Sequence, residues 1–123
     1  MSFEAKKILL IDDEKELCSL LREFFTEEGY AVECAHDGVE GILKIQSFSP
    51  DVIILDHRMP VMDGTTMLKK TMGTCSAPVI CISARESKDT LIEYLRLGVE
   101  KYLAKPLDLV ELHQIITSTL KEE

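Results

Sequence analysis

No apolar run in these 123 residues approaches the roughly 18 needed to cross a bilayer, so no segment reads as a membrane span. The opening MSFEAKK has no apolar stretch ahead of a cleavage site, so secretion is not expected and a cytoplasmic location is. Positive charge is scarce: 14 Lys and Arg stand against 22 Asp and Glu, a net charge of -8. Such a surface repels a phosphate backbone on average, which excludes direct nucleic-acid contact through this chain. Cysteine occurs four times, at Cys18, Cys34, Cys75 and Cys81, with no C-x-x-C pair. Scattered in this way, the cysteines read as small buried hydrophobes in a reducing compartment. There is no internal linker, low-complexity tract or repeat, and the length suits one domain spanning residues 1–123.

What is present alternates. Ile8 to Ile11, Val52 to Leu55 and Val79 to Ile82 are short apolar runs rich in β-branched residues, the pattern of strands covered on both faces of a parallel sheet. Tyr30, Val32 and Cys34 alternate with Ala31, Glu33 and Ala35 as an edge strand would, and Tyr102 to Ala104 is a short fifth strand. Helix-period stretches lie between. Leu17, Leu21, Phe24 and Phe25 form one stripe that ends at Gly29. A second opens on Asp37 with Glu40, carries Val39, Ile42 and Leu43, and closes before Pro50. The third follows Asp63 with Met67, Leu68 and Met72. The fourth bears Leu91, Tyr94 and Leu95 and stops at Gly98, and the last starts at Asp108 with Leu109, Leu112, Ile116 and Leu120. Strand and helix alternating five times predict a doubly wound α/β domain with right-handed crossovers.

On that frame the polar residues gather. Asp12 and Asp13 follow the first strand, Asp56 the third, Ser83 the fourth and Lys105 the fifth. All therefore stand at carboxyl ends of strands, which face one crevice in an open parallel sheet. Three carboxylates packed together repel and hold their protons unless a cation compensates them. With only oxygen donors, the set suits a hard ion that keeps waters and room for a phosphoryl oxygen, Mg2+ rather than Ca2+. Asp56 beside such an ion is a nucleophile toward phosphorus, with Lys105 as a point charge for a phosphoryl oxygen and Ser83 as a donor. Pro106 makes the Lys105–Pro106 bond a candidate cis peptide that would hold the lysine over the crevice. Taken singly, these residues have plainer readings: Asp13 with Glu16 as a helix capping pair, Ser83 as another cap, Tyr102 as a half-buried strand aromatic. Co-location at one sheet edge outweighs them.

The segments IDDE at 11–14, LDHRMPVMDG at 55–64, ISA at 82–84 and KYLAKPLD at 101–108 resemble the receiver domain of two-component response regulators, over essentially the whole chain. The resemblance implies a flavodoxin-like fold with strand order 2-1-3-4-5, and a phosphoryl group taken from the phosphohistidine of a sensor histidine kinase or phosphotransfer protein. It implies Asp56 as phosphoacceptor and Asp12, Asp13, Asp56 and the Arg58 backbone carbonyl around Mg2+, with Mn2+ as a substitute. It further implies Ser83 as switch hydroxyl, Tyr102 as the aromatic that moves with it, Ala84 as a small residue leaving room for phosphate, and Lys105 as the phosphate-binding lysine. The face made by the fourth helix, fifth strand and fifth helix would then carry the output, to a homodimer mate or a target. Arg58 and Arg85, two residues beyond Asp56 and Ser83, would rim the pocket and tune phosphoryl lifetime. Val61 departs from the family, standing where glycine is common, and Ser83 replaces the more frequent threonine.

Other classes fit less well. A Mg2+-dependent aspartyl-phosphate phosphatase of the haloacid dehalogenase kind needs a second acid two residues past its nucleophile, where Arg58 stands. A flavin or nucleotide binder of this fold needs a Ser/Thr/Gly-rich loop after the first strand, where IDDEKE would repel phosphate without metal. A receiver-like interaction module that has lost phosphorylation would have no need of the acidic trio, hydroxyl and lysine together.

Overall fold

The computed structural model describes residues 4–59, 61–71, 73–84 and 87–121. Ten elements alternate: β1 (Lys7–Ile11), α1 (Lys15–Glu27), β2 (Ala31–Ala35), α2 (Gly38–Phe48), β3 (Val52–Asp56), α3 (Gly64–Thr71), β4 (Val79–Ser83), α4 (Lys88–Arg96), β5 (Lys101–Ala104) and α5 (Leu109–Thr119). The strands pair in parallel in the order β2-β1-β3-β4-β5, the flavodoxin-like order that the sequence motifs imply. Met72, read into the third helix, and Pro60 and Arg85 lie outside the described residues.

The period of two along each strand divides the core. Ile8 and Leu10, Val52 and Ile54, and Ile80 and Ile82 pack beneath Cys18, Leu21 and Phe25 of α1 and Leu112 and Ile116 of α5. The intervening Leu9 and Ile11, Ile53 and Leu55, and Cys81 meet Ile45 of α2, Met67 and Leu68 of α3, and Tyr94 of α4. This is why β1, β3 and β4 read as unbroken apolar runs: both faces are covered. Each fully buried Leu or Ile contributes about 1.5–3 kcal/mol, so the central strands form a rigid base. Their carboxyl ends inherit that rigidity.

Helix ends follow local chemistry. Asp37 accepts from the Glu40 amide at 2.8 Å and caps α2, while Glu40 Oε1 accepts from the His36 amide, one residue before the cap. Asp108 accepts from the amides of Val110 and Glu111 and caps α5. Gly29 and Gly98 take left-handed φ of +100° and +87° just past α1 and α4, as C′ glycines do.

Some assignments need correction. Helix α2 turns Gly38, Gly41 and Ile45 inward and leaves Val39 and Leu43 48% and 62% exposed. A Cβ on Gly41 would come within 2.9 Å of Ile11 Cδ1, so close approach to the sheet fixes the face there, and glycine gives no hydrophobic signal to reveal it. In α4 only Tyr94 is fully buried, and Leu95 faces solvent. Asp13 does not cap α1: Glu14 holds that position without a side-chain cap bond, and its amide donates to Asp12 Oδ1 at 2.8 Å. Ser83 is the last residue of β4, and the cap of α4 is Ser87. Cys18 and Cys81 are buried, but Cys34 and Cys75 are only half so.

Candidate functional site

The carboxyl ends of β1, β3 and β5 converge. Asp12 begins the turn after β1, pinned by its amide donating to the Ala35 carbonyl at 2.9 Å. Asp56 ends β3, and each aspartate is 3% exposed. Asp13 stands beside them at the surface, and one carboxylate oxygen from each of Asp12, Asp13 and Asp56 lies within 4.8 Å of the others. Lys105 reaches in from the residue after β5, with Nζ 3.5 Å from Asp56 Oδ1 and 3.6 Å from Asp12 Oδ2. The Lys105 amide donates to the Ser83 carbonyl at 2.7 Å, which extends the β4–β5 ladder to the site, and the Lys105–Pro106 bond is cis. Ser83 is fully buried at the end of β4, and Ala84 follows it at the surface.

Electrostatics match the crowding. Burial, then the Asp12 charge, push the Asp56 carboxyl up to about 7, although Lys105 pulls the other way. Burial likewise raises Asp12 above the usual carboxylate range, against the Glu14 amide and Lys105. Burial pulls Lys105 down, but Glu14, Asp12 and Asp56 outweigh it and hold its ammonium above the ordinary lysine value. One lysine against this many acids leaves negative charge to spare.

A hard cation fits this donor set. The three side chains offer only carboxylate oxygen, and buried Asp12 Oδ2 has no hydrogen-bond partner among the described residues, with Lys105 Nζ 3.6 Å away. Such an orphaned buried oxygen is costly unless charge is brought to it.

Two neighbours, Glu14 and His57, were not assigned roles from sequence. Glu14 accepts from Lys105 Nζ at 2.6 Å, a partner 91 residues away that no local pattern announces. His57, next to Asp56, shares a hydrogen bond between its Nδ1 and the buried Tyr94 hydroxyl, which ties α4 to the β3–α3 loop. Tyr102 lies beyond, its ring centroid 5.9 Å from that of Tyr94. A Cβ on Gly64 would collide with the Tyr94 hydroxyl and approach the Asp56 carbonyl oxygen to 3.3 Å. Gly64→Ala is therefore expected to lower stability by about 1–3 kcal/mol in urea unfolding, and an unchanged midpoint would contradict this packing. In the same loop exposed Val61 takes a φ of 74°, a region where a β-branched residue is strained by about 1–2 kcal/mol and glycine is not. The departure noted at this position thus has a backbone cost. Arg58 is exposed on the loop.

Comparison with known proteins gives one answer. Residues 8–117 match the family model described as the response regulator receiver domain. The chain is 42% identical over 115 residues to the transcriptional regulatory protein CpxR of Klebsiella pneumoniae, covering 94% of this chain and 49% of that protein. It is 38% identical over 107 residues to the response regulator MprA of Mycobacterium tuberculosis, covering 86% and 46%. The chain thus spans about half the length of these curated relatives. Among solved structures, a CheY-like receiver domain protein from Methanospirillum hungatei superposes with a TM-score of 0.91 at 27% identity, over 95% of this chain and 94% of that one. A complex of CheX and CheY with BeF3 and Mg2+ from Borrelia burgdorferi gives 0.87 at 30% identity, over 97% and 92%. Fold, motif order and matched span agree, and the chain belongs to the response regulator receiver domain family.

Proposed function

We propose that this chain, as a single domain over residues 1–123, is a reversible phosphoryl switch with Asp56 as the acceptor. The donor would be the phosphohistidine of a sensor histidine kinase or phosphotransfer protein: an Asp56 oxygen attacks phosphorus, the P–N bond breaks, and the imidazole leaves. The observation that carries the reading is the convergence of Asp12, Asp13 and Asp56 under one lysine at the carboxyl ends of three strands. Asp12, Asp13, Asp56 and the Arg58 carbonyl would hold Mg2+ or Mn2+. Bound there, the ion supplies the positive charge that lets an anionic nucleophile meet an anionic phosphoryl group. The Borrelia complex of CheX and CheY contains both BeF3 and Mg2+, an anion and a divalent cation, which supports this reading.

The remaining residues act on the attached group. Lys105 Nζ takes a phosphoryl oxygen, Ala84 leaves room for it, and the Ser83 hydroxyl donates to it once it is in place. Arg58, exposed on the loop, and Arg85 would tune phosphoryl lifetime through the access of water to phosphorus. Tyr102, packed near Tyr94, follows Ser83 and biases the face of α4, β5 and α5, which engages an output domain, a target or a second copy. The chain then acts on itself and turns over no outside substrate. No helix among the described residues is long and apolar enough to cross a membrane, and the acidic surface supports a cytoplasmic domain that leaves nucleic acid to others.

Incubating the full chain with Mg2+ and a small acyl phosphate tests this. Intact mass is expected to rise by about 80 Da, one phosphoryl group, and not to rise when a chelator replaces the Mg2+. No gain with Mg2+ present would favour an interaction module without phosphorylation.

A further inference from the structure

Two cysteines meet beside the β1–α1 turn. Cys34 is the penultimate residue of the edge strand β2, and Cys18 stands in the first turns of α1, which packs over it. Cys34 Sγ donates to the Cys18 carbonyl oxygen at 3.9 Å, which sets the two residues side by side. Both line one surface pocket of about 200 Å³ together with Lys15, Ser19, Arg22 and His36. The other two cysteines are placed differently. Cys81 is buried in the sheet, and Cys75 borders a separate cavity that holds no second thiol.

We propose that Cys34 and Cys18 form a hydroperoxide-reactive thiol pair, with Cys34 as the attacking sulfur and Cys18 as the resolving one. The Cys34 thiolate attacks the outer peroxide oxygen, the O–O bond breaks, and the alcohol or water leaves with a proton, giving Cys34 sulfenic acid. The Cys18 sulfur then attacks the sulfenic sulfur, S–O breaks, S–S forms, and the oxygen departs as water with the Cys18 proton. Two electrons pass from the dithiol to the peroxide, which is the only oxidant required. The order of roles follows from the surroundings. Cys34 is half-exposed on the pocket, where Lys15 and Arg22 bring positive charge that favours a thiolate, whereas Cys18 is buried at 2% exposure and is reached only from its neighbour. A pocket of this size admits a small peroxide directly to the half-exposed sulfur.

The pair touches the acidic site through one bond. Cys18 Sγ donates to the Asp12 carbonyl oxygen at 3.4 Å, and His36 Nδ1 lies 3.1 Å from the same oxygen. A disulfide consumes the Cys18 proton and withdraws that donor, so oxidation is felt at the turn that carries Asp12 and Asp13. Nothing here depends on phosphorylation, and the thiol chemistry is read without a phosphoryl donor.

The test treats the reduced full chain with stoichiometric hydrogen peroxide, then alkylates and maps it. A mass about 2 Da lower, two of the four cysteines protected, and a Cys18–Cys34 linked peptide cleaved by dithiothreitol are expected. Cys75→Ser should behave as the parent, and Cys34→Ser should lose the link. In the oxidised parent, the Asp13 amide resonance should be among those that move most. Oxygen adducts accumulating on Cys34 without a link, a link that includes Cys75, or Cys34 reacting no faster than Cys75 would each overturn the assignment. An Asp13 resonance that stays in place would overturn the coupling to the acidic turn. Because the link is read in the parent chain, a variant that fails to fold leaves the outcome decidable.

Discussion

Without divalent cations at pH 8, Asp56→Asn is expected to be more stable than the parent by about 2 to 4 kcal/mol. Burial and the neighbouring Asp12 charge hold the Asp56 carboxyl at about 7 in the folded chain, against 3.8 for the ordinary group. Between those values the folded chain keeps a proton that the unfolded chain releases. The stability contributed by protonated Asp56 is therefore whole below pH 3.8 and is lost as pH rises through about 7. Asparagine keeps the shape, is always neutral, and does not titrate. The advantage of the variant should thus be absent near pH 4, grow through neutrality and level off by pH 8. Asp12, raised in the same direction, remains in both proteins and shapes the common background. Urea unfolding in a chelating buffer across that pH range reads the difference. A variant less stable at pH 8, or a gap independent of pH, would mean that Asp56 is not held against its charge. Adding Mg2+ should narrow the gap, since an ion that binds the folded parent stabilises it by mass action.

Lys105→Met is expected to slow phosphoryl uptake from a small acyl phosphate by on the order of 100-fold while leaving the chain folded. Among the described residues, Lys105 is the cation ion-paired with both Asp12 and Asp56, and it reaches Glu14 as well. Its ammonium is held above the ordinary lysine range, so it is charged at every working pH. Methionine preserves much of the stem that crosses the crevice but removes the charge a phosphoryl oxygen would meet. The acidic trio then stands without its lysine, and Asp56 shifts further toward its protonated, non-nucleophilic form. Uptake followed by intact mass over time gives the rate. A change of less than about threefold would reduce Lys105 to a structural partner of Glu14, since a group that stabilises transferring charge is worth far more.

Much of this architecture was legible because period and position carry it. Continuous runs such as Ile8 to Ile11 and Val52 to Leu55 could only be strands covered on both sides, and once they were in place Asp12, Asp56 and Lys105 had to share one edge. Asp37 and Asp108 marked their helices through the short reach of a carboxylate to nearby amides. The inward face of α2 was misread because Gly38 and Gly41 define it by absence of bulk, which hydropathy does not register. Tyr94 was rightly read as core, but its hydroxyl finds His57, 37 residues away, through folding alone. The same holds for Glu14 with Lys105 and for Cys34 with Cys18, pairs that exist only once α1 lies against the sheet.

Chemical trapping of the phosphoryl group tests the central claim most directly. An acyl phosphate on aspartate is reduced by borohydride to homoserine, so the modified position can be read by peptide sequencing. After treatment with an acyl phosphate donor, homoserine is expected at position 56 when Mg2+ is present, and aspartate there when it is chelated. Homoserine at another position, or equal trapping at 56 with the cation removed, would contradict an acceptor that depends on a cation held by Asp12 and Asp13.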